Sequence, residues 1–279
     1  RGDKSEQAAM DDPGVDVIYN PVANARHAPW NLAGIAAGKS VLSEKPFARD
    51  RTEAQCVADA AQTADVTVLE GFHYAFHPVT RRAFGLAADG TLGAITTVEV
   101  RMAMPAPGAD DPRWSLELAG GAVMDLGCYG LHIMRTLGRF AVPGLQGHPV
   151  VVRAHAEERS PGVDARCDID LAFPGGAGGL SANSMVAEDY SFTLRIAGTD
   201  GEVLVHDFIH PAEDDRLTLT TAAGTTVEHL GTRPSYSYQL EAFAAHVEHG
   251  APLPFGPDDA VANMALIDAA YHAASLPTR

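Results

Sequence analysis

The chain of 279 residues is long enough for two domains that each bury a hydrophobic core. Hydrophobic residues make up 46% and charged residues 20%, and the sequence contains no apolar run of about 18 residues that could span a bilayer. The formal net charge of −16, with no Lys/Arg-rich run to offset it, argues against nucleic acid and anionic membrane surfaces as partners.

Cysteine usage and the start of the chain indicate where the protein resides. The three cysteines, Cys56, Cys128 and Cys167, are an odd number at wide spacing without a CxxC, which argues against a disulfide framework or a zinc site. We therefore expect a soluble, cytoplasmic protein. The sequence starts at Arg1 and no signal-peptide core follows, so we also expect it to begin within a longer gene product.

The first part of the chain alternates short apolar strands with helical stretches. Strands are predicted at residues 15–19, 39–47 and 65–72, and helices at 30–38 and 49–64. Alternation in units of this length indicates a parallel sheet with crossover helices. We predict that residues 1–76 form an α/β domain.

The rest of the chain has the pattern of an α+β domain, predicted over residues 77–279. Helices at 78–89 and 121–137 flank a strand at 94–104, and from residue 150 apolar residues recur with period two between turn signals. This pattern predicts a large antiparallel meander. Two closing helices are predicted at 235–250 and 258–271, the second packing back on the first domain.

Two polar segments follow neighbouring strands of the predicted parallel sheet. Asn20-Pro21 ends the first strand, and Glu44-Lys45-Pro46 ends the next. Because the carboxyl ends of parallel strands border the crevice in which such sheets bind ligands, both segments are candidates for a site. The alternative for Lys45 is a solvated lysine beside a turn-forming proline.

A second constellation lies in GGAVMDLGCYGLH, residues 120–132. On a helix, Asp125, Tyr129 and His132 stand at i, i+4 and i+7 and share one face, between apolar neighbours that imply burial. A buried polar stripe needs hydrogen-bond partners or a ligand. The alternative is that the three side chains brace the seam between the domains.

A histidine pair raises the question of a metal. His73 and His77 are four residues apart, which suits two ligands on a helix. The segment is predicted as a strand running into Pro78, however, and no cysteine or third ligand is arranged nearby. We expect no metal there.

These motifs resemble a known family over nearly the whole chain. The segments are VDVIYNPVANARHAPWNLAGIAAGKSVLSEKPFA, EGFHYAFHP and RWSLELAGGAVMDLGCYGLH, followed by GTDGEVLV and SYSYQLEAF. The sequence is similar to the glucose-fructose oxidoreductase and inositol dehydrogenase (Gfo/Idh/MocA) family, and within it to the dimeric dihydrodiol dehydrogenases. The resemblance implies a partial Rossmann-like domain followed by a substrate-binding and oligomerisation domain with a large, mostly antiparallel sheet.

The resemblance also implies a function. It predicts a dehydrogenase dependent on NAD or NADP that transfers a hydride to or from a hydroxyl carbon of a sugar, polyol or cyclic diol. It places Lys45 and Tyr129 over the nicotinamide, with Asp125 orienting a substrate hydroxyl and His132 as a second substrate contact. Further residues along the cofactor are Asn20, Pro21, His27, Glu44 and Pro46. It further implies a homodimer or homotetramer formed through the antiparallel sheet.

The residue types suit this chemistry. Hydride transfer from an alcohol needs a base for the hydroxyl proton, and the reverse reaction needs an acid. A tyrosine with a pKa of about 10 is a poor base near neutrality, but a nearby ammonium favours the phenolate. We therefore expect Lys45 to lower the pKa of Tyr129.

The sequence departs from the family pattern in three places. No GxGxxG turn occurs in the first fifty residues, so the N-terminal βαβ unit that holds the pyrophosphate is expected to be missing. Ala75 stands where relatives often carry arginine. Ala119 replaces a common glycine, which should matter little unless the backbone there needs a positive φ. The alternative function is a non-catalytic or truncated relative that binds a sugar or a protein partner.

Overall fold

The computed structural model describes residues 6–279, which contain one small and one large β-sheet. The small sheet is parallel, in the order β1 (Val17–Asn20), β2 (Ser40–Ser43) and β3 (Val68–Glu70). A short helix precedes it and two helices make the crossovers: α1 (Glu6–Met10), α2 (His27–Ala36) and α3 (Arg51–Ala64). The alternation of strand and helix in the sequence therefore gives the predicted parallel arrangement.

Helix α3 shows how local sequence sets an element. The side chain of Asp50 accepts a hydrogen bond from the Glu53 amide at 2.8 Å and caps the first turn. Four small apolar residues of α3 face the core and are buried: Ala54, Val57, Ala58 and Ala61. The helix ends at Ala64, and the next residue, Asp65, caps it in a left-handed conformation with φ of 53°.

The large sheet has eight strands in the described part of the chain. They are β4 (Ile95–Ala103), β5 (Val150–Ser160), β6 (Val163–Ala172), β7 (Gly178–Ser184), β8 (Ser191–Gly198), β9 (Gly201–Val205), β10 (Arg216–Thr221) and β11 (Gly224–His229). Their order is β11-β10-β9-β8-β4-β7-β6-β5, and every pair is antiparallel except β4 with β7. The sheet is therefore mostly antiparallel, as predicted.

The predicted simple meander is corrected at the centre of this sheet. Strand β4 lies between β7 and β8, so the chain passes over it from one side to the other. Val98, Val100 and Met102 of β4 are almost completely buried. Such an apolar strand is best covered in the middle of the sheet, where strands pair on both sides and a helix packs above.

The remaining helices cover the sheets. They are α4 (Pro78–Ala88), α5 (Cys128–Gly138), α6 (Ser235–His249) and α7 (Pro257–Ala273). Helix α7 packs against α3 and β3 of the first part and against α5 of the second. No helix among residues 6–279 is long and apolar enough to cross a membrane. The exact boundary between the domains at residue 76 stays a prediction.

The helix predicted at 121–137 is interrupted at its start. Val123–Gly127 form a π-helical turn, and the regular α-helix begins only at Cys128. The preceding backbone is tightly bent: Gly121 has φ of 124° and Ala119 has φ of 58°. The expectation that alanine at 119 matters little is therefore corrected, because this position does hold a left-handed conformation that glycine adopts more easily.

The segment predicted as a strand before Pro78 is also different. His73–Phe76 form a 3₁₀ turn, after which the His77 side chain accepts a hydrogen bond from the Val79 amide at 3.1 Å and caps α4. His73 points instead into a cleft between the two sheets. Within residues 6–279 no group of three His, Cys, Asp or Glu side chains is arranged to hold a metal.

Candidate active site

The two sequence motifs meet in a cleft of about 420 Å³ between the carboxyl edge of the small sheet and the large sheet. Lys45 comes from the loop after β2, and Asp125 and Tyr129 come from the π-helical turn and the start of α5. The volume is within the range of roughly 300–1,000 Å³ that is common for small-molecule sites. The cleft is also at the edge where parallel α/β sheets bind ligands.

Lys45 and Asp125 form an ion pair at the floor of the cleft. The ammonium donates hydrogen bonds to the Asp125 backbone oxygen at 2.8 Å and to Oδ1 at 3.1 Å. Burial opposes both charges, but the attraction between them raises the pKa of Lys45 and contributes to lowering the pKa of Asp125. Both groups are therefore ionised, and Lys45 is not a solvated surface lysine: its side chain is 15% exposed.

Arg113 completes this network and was not anticipated from the sequence. Its Nε donates to Asp125 Oδ2 at 2.9 Å, and Nη1 lies 3.1 Å from Asp111 Oδ2. The carboxylate of Asp125 therefore binds two cations at once. Arg113 lies in a short 3₁₀ turn, Pro112–Trp114, where hydrophobic periodicity does not mark an arginine as part of a site.

Tyr129 lies directly beside this ion pair. The Lys45 ammonium is 5.0 Å from the centre of the Tyr129 ring, and the hydroxyl is 3.4 Å from Nε2 of His73. The residue is only 4% exposed. Burial, with the nearby negative groups, raises the pKa of Tyr129 well above its usual range.

This finding differs from the expectation that Lys45 lowers the pKa of Tyr129. The positive charge of Lys45 is already compensated by Asp125, so little of it acts on the phenol, and desolvation dominates. In this structure Tyr129 is therefore a protonated phenol, which can donate a proton or a hydrogen bond.

The π-helical turn helps to align the two side chains. A π-helix has wider turns than an α-helix because its hydrogen bonds run from i to i+5. Asp125 and Tyr129, four residues apart, both line the cleft. Such turns are frequent at functional sites.

The residues predicted along the cofactor occupy different places. Glu44 and His27 line the cleft with Lys45, and Glu44 accepts a hydrogen bond from the Tyr19 hydroxyl at 2.6 Å. Pro21 lies in an adjoining groove of about 260 Å³. Asn20 is buried behind the cleft.

Buried contacts brace the two loops that carry these residues. Nδ1 of His27 is 2.6 Å from the Pro46 carbonyl oxygen, and Pro46 is buried beneath the cleft after a cis Lys45–Pro46 peptide bond. The Asn20 amide donates to Asn31 Oδ1 at 2.7 Å and to the His27 oxygen at 3.0 Å. Asn20 and His27 thus hold the loops after β1 and β2 together.

The structure does not bring His132 to the cleft. Its ring is completely buried, with Nδ1 2.6 Å from the Tyr74 hydroxyl and Nε2 2.9 Å from Asp259 Oδ2. Both ring nitrogens are therefore used inside the protein. Of the two alternatives, a ligand contact or a brace within the protein, the position of His132 fits the brace. We therefore do not include His132 among the substrate contacts.

Several cleft residues come from distant parts of the chain. The walls include His73, Tyr190, Phe192 and Tyr236, which belong to the 3₁₀ turn, the region of β8, and the first turn of α6. Only tertiary folding brings them together, so no local spacing in the sequence indicates them as partners.

Comparisons with known proteins agree with this geometry. A model of the oxidoreductase family with an NAD-binding Rossmann fold matches residues 4–72, and a model of the GFO/IDH/MocA C-terminal domain matches residues 80–204. A D-xylose 1-dehydrogenase (NADP(+)) 2 of Haloferax volcanii is 34% identical over 274 residues, covering 97% of this chain and 81% of that protein. The chain belongs to the Gfo/Idh/MocA oxidoreductase family.

Further members show the breadth of this family. A trans-1,2-dihydrobenzene-1,2-diol dehydrogenase of Sus scrofa is 29% identical over 199 residues, covering 70% of this chain and 56% of that protein. The crystal structure of an aldose-aldose oxidoreductase from Caulobacter crescentus, complexed with glycerol, matches with a TM-score of 0.84 and 25% identity. That match covers 96% of this chain and 79% of the other. The predicted family and fold class are confirmed.

In this Gfo/Idh/MocA member, the residues of the cleft fit the nicotinamide end of a dinucleotide. Glu44, Lys45 and Tyr129 surround the open space at the carboxyl edge of the parallel strands. The Lys45 ammonium donates two of its three hydrogens to Asp125, which leaves one for a ligand in the cleft. Lys45, Glu44 and Tyr129 would hold the reacting ring there.

Proposed function

We propose that this protein is an NAD- or NADP-dependent oxidoreductase that transfers a hydride between the nicotinamide and a hydroxyl-bearing carbon of a sugar, polyol or cyclic diol. The observation that carries the proposal is that Lys45 meets Asp125, 80 residues later in sequence, and Tyr129 in one cleft at the carboxyl edge of the parallel sheet. This complete constellation argues against the non-catalytic alternative.

The residues of the chain handle the proton. A bound nicotinamide supplies or accepts the hydride. In the reducing direction, the phenol of Tyr129 donates its proton to the carbonyl oxygen of the substrate, which its protonated state favours. The Lys45 ammonium uses two of its three N–H groups on Asp125, and the third can donate a hydrogen bond to that oxygen. In the oxidising direction Tyr129 must first lose its proton, which burial makes more costly.

The charges in the cleft favour an uncharged substrate. Lys45 is neutralised by Asp125, and Arg113 binds both Asp111 and Asp125, so neither cation is left over for a phosphate group. The walls contribute aromatic rings, including Tyr236, that suit the apolar faces of a sugar. A neutral sugar, polyol or diol therefore fits better than a phosphorylated one.

We further infer a homodimer or homotetramer that forms through the large sheet. Val150 and Val152 of its edge strand β5 are 62% and 64% exposed, which is typical of a surface that another chain covers. A cytoplasmic location is part of the same proposal, and it is supported by the three free cysteines.

The decisive variant is Tyr129→Phe, which removes only the hydroxyl. We expect turnover of the best neutral sugar substrate with NADH, NADPH or their oxidised forms to fall by roughly 10²–10⁴-fold, the usual contribution of a general acid or base. Cofactor affinity, measured by isothermal titration calorimetry, and the melting temperature should stay close to those of the wild type.

Tyr238→Phe is the control, because it also removes one tyrosine hydroxyl but at a position on α6 that lies outside the cleft. It should retain full turnover. Undiminished activity in Tyr129→Phe would remove Tyr129 from this role. If a folded wild-type sample binds neither cofactor, the proposed function is wrong for this chain.

A further inference from the structure

His73 is a hydrogen-bonding partner of the Tyr129 hydroxyl that takes no part in the proposed chemistry so far. Its Nε2 is 3.4 Å from the Tyr129 hydroxyl, and its Nδ1 is 2.8 Å from Oγ of Ser235. His73 and Ser235 are 1% and 2% exposed. The three side chains thus form a continuous line of polar atoms from the reacting hydroxyl to the start of α6.

The imidazole is held rigidly in this line. The His73 amide donates to the Gly71 oxygen at 2.9 Å, which fixes the 3₁₀ turn that carries the ring. The ring also stacks on Tyr236, with centroids 4.0 Å apart and planes inclined by 24°. One nitrogen therefore faces Tyr129 and the other faces Ser235. A contact of 3.4 Å is long, but catalytic hydrogen bonds commonly shorten when a ligand binds.

His73 is electrically neutral in this position. Burial and the positive charge of Lys45 lower the pKa of His73 to about 3. A neutral imidazole has one N–H and one free lone pair, so it can accept a proton at one nitrogen while it donates a proton from the other. It can pass a proton along without becoming an imidazolium.

The outer end of the line is close to the protein surface. Ser235 is the first residue of α6, and both of its neighbours are exposed: Pro234 and Tyr236, the latter 45% exposed. Tyr129 itself is buried and has its ring covered by the Lys45 ammonium. A route through His73 would connect the buried phenol with solvent.

We propose that His73 and Ser235 form a proton relay that reloads Tyr129 from solvent after each reduction, a proposal that rests on the proposed function. The Tyr129 O–H bond breaks as its proton goes to the alkoxide of the substrate. The resulting phenolate takes the proton from Nε2 of His73. In the same concerted step Nδ1 takes the proton of the Ser235 hydroxyl and Ser235 Oγ takes one from a hydronium ion of the solvent, so the ring stays neutral. Before the next turnover Nδ1 returns its proton through Ser235 to solvent, and Nε2 takes a proton from solvent in the cleft once the product has left. In the oxidising direction every step runs in reverse.

Two substitutions of His73 separate the relay from simple hydrogen bonding. His73→Gln places an amide near the position of Nε2, so it can still contact Tyr129 but cannot exchange protons between two ring nitrogens. His73→Asn places its amide near the position of Nδ1 and keeps only the contact with Ser235. Ser235→Ala removes the outer end, and Ser237→Ala, two residues further along α6, is its matched control.

The kinetic test measures kcat, KM and the solvent deuterium isotope effect on kcat for reduction of a ketone or aldehyde form of the sugar substrate. We expect His73→Gln, His73→Asn and Ser235→Ala to lower kcat by roughly 10- to 100-fold with little change in KM, because proton delivery becomes limiting. The solvent isotope effect should rise, and added imidazole should restore part of kcat in the His73 variants. Ser237→Ala should behave as the wild type.

Other kinetic outcomes overturn the proposal. A higher KM with an unchanged solvent isotope effect in folded His73 variants would make His73 a substrate contact rather than a relay. Unchanged kcat in folded Ser235→Ala would remove the outer half of the relay.

A second measurement needs no turnover. ¹⁵N nuclear magnetic resonance of the histidine rings should show His73 neutral from pH 5 to 9, and Tyr129→Phe should shift its Nε2 resonance while Tyr238→Phe does not. An unmoved Nε2 resonance in Tyr129→Phe would show that the contact is absent in solution and refute the relay. Lack of turnover in the wild type would instead refute the proposed function, which keeps the two failures distinct.

Discussion

The buried carboxyl group of Glu70 gives a quantitative test of how burial changes a pKa, and with it the stability of the protein, near the site. This residue ends β3 and is 2% exposed. Its Oε1 accepts a hydrogen bond from the Phe47 amide at 2.9 Å, whereas Oε2 is buried without a hydrogen-bond partner among the described residues. Burial raises the pKa of Glu70 from its usual 4.5 to about 8, against the opposing attraction of Arg135 and Lys45.

The sign of the effect on stability follows from proton binding. Between pH 4.5 and about 8 the folded protein keeps the proton on Glu70, whereas the unfolded chain releases it. The stabilisation that comes from proton binding by folded Glu70 is therefore fully present below pH 4.5 and is lost as the pH rises to about 8. At about 1.4 kcal/mol per pH unit, the loss amounts to roughly 5 kcal/mol.

Glu70→Gln removes this titration while keeping an oxygen for the Phe47 amide. The added amide hydrogens have no partner, so we expect the variant to be about 1–3 kcal/mol less stable than the wild type near pH 5. Near pH 8.5 the order should be reversed, because the wild type then carries an ionised buried carboxylate. Glu188→Gln, at an exposed position, is the control and should show no such reversal.

The assay is equilibrium unfolding in urea at several pH values from 5 to 9, with both variants beside the wild type. The informative quantity is the difference in the free energy of unfolding between Glu70→Gln and the wild type at each pH. A difference that stays constant across this range would refute the reasoning, because it would mean that Glu70 has the same pKa in the folded and unfolded states.

Two further predictions concern buried charges. Asp125→Asn removes the negative charge that pairs with Lys45. We expect kcat/KM in steady-state assays to fall by about 10²-fold or more while the protein stays folded. An unchanged kcat/KM would contradict the proposed role of this pair. Asp259→Asn leaves the buried guanidinium of Arg135 without its carboxylate, and we expect it to lower the free energy of unfolding in urea by about 3–5 kcal/mol. The control Asp258→Asn, at the exposed neighbouring position, should lower it little. Equal effects of the two substitutions would argue against a buried ion pair.

Local sequence predicted the two sheets and three of the residues that line the cleft. The strand-helix alternation before residue 76 predicted the parallel sheet, because crossover connections of this length join parallel strands. The period-two segments predicted the large sheet, since alternating residues face opposite sides of a strand. Lys45, Asp125 and Tyr129 were named from a strand end and from one helix face, and all three line the cleft.

Tertiary structure decided what local patterns do not encode. Arg113 binds Asp125 from a short 3₁₀ turn, and Ser235 lies 162 residues from His73, so only the folded chain brings these partners together. The protonation state of Tyr129 also depends on the fold: the sequence suggested that Lys45 would lower its pKa, but burial outweighs a charge that is already paired with Asp125.

His132 and Ala119 also show the difference between what local sequence predicts and what the folded structure decides. The sequence placed His132 on the face of Asp125 and Tyr129, but the partners that occupy both its nitrogens come from the 3₁₀ turn and from α7. At Ala119, nothing local showed that the backbone would bend into a left-handed conformation before the π-helical turn. Sequence periodicity fixes which residues share a face of one element, whereas desolvation, charge pairing and contacts between distant segments are properties of the packed molecule.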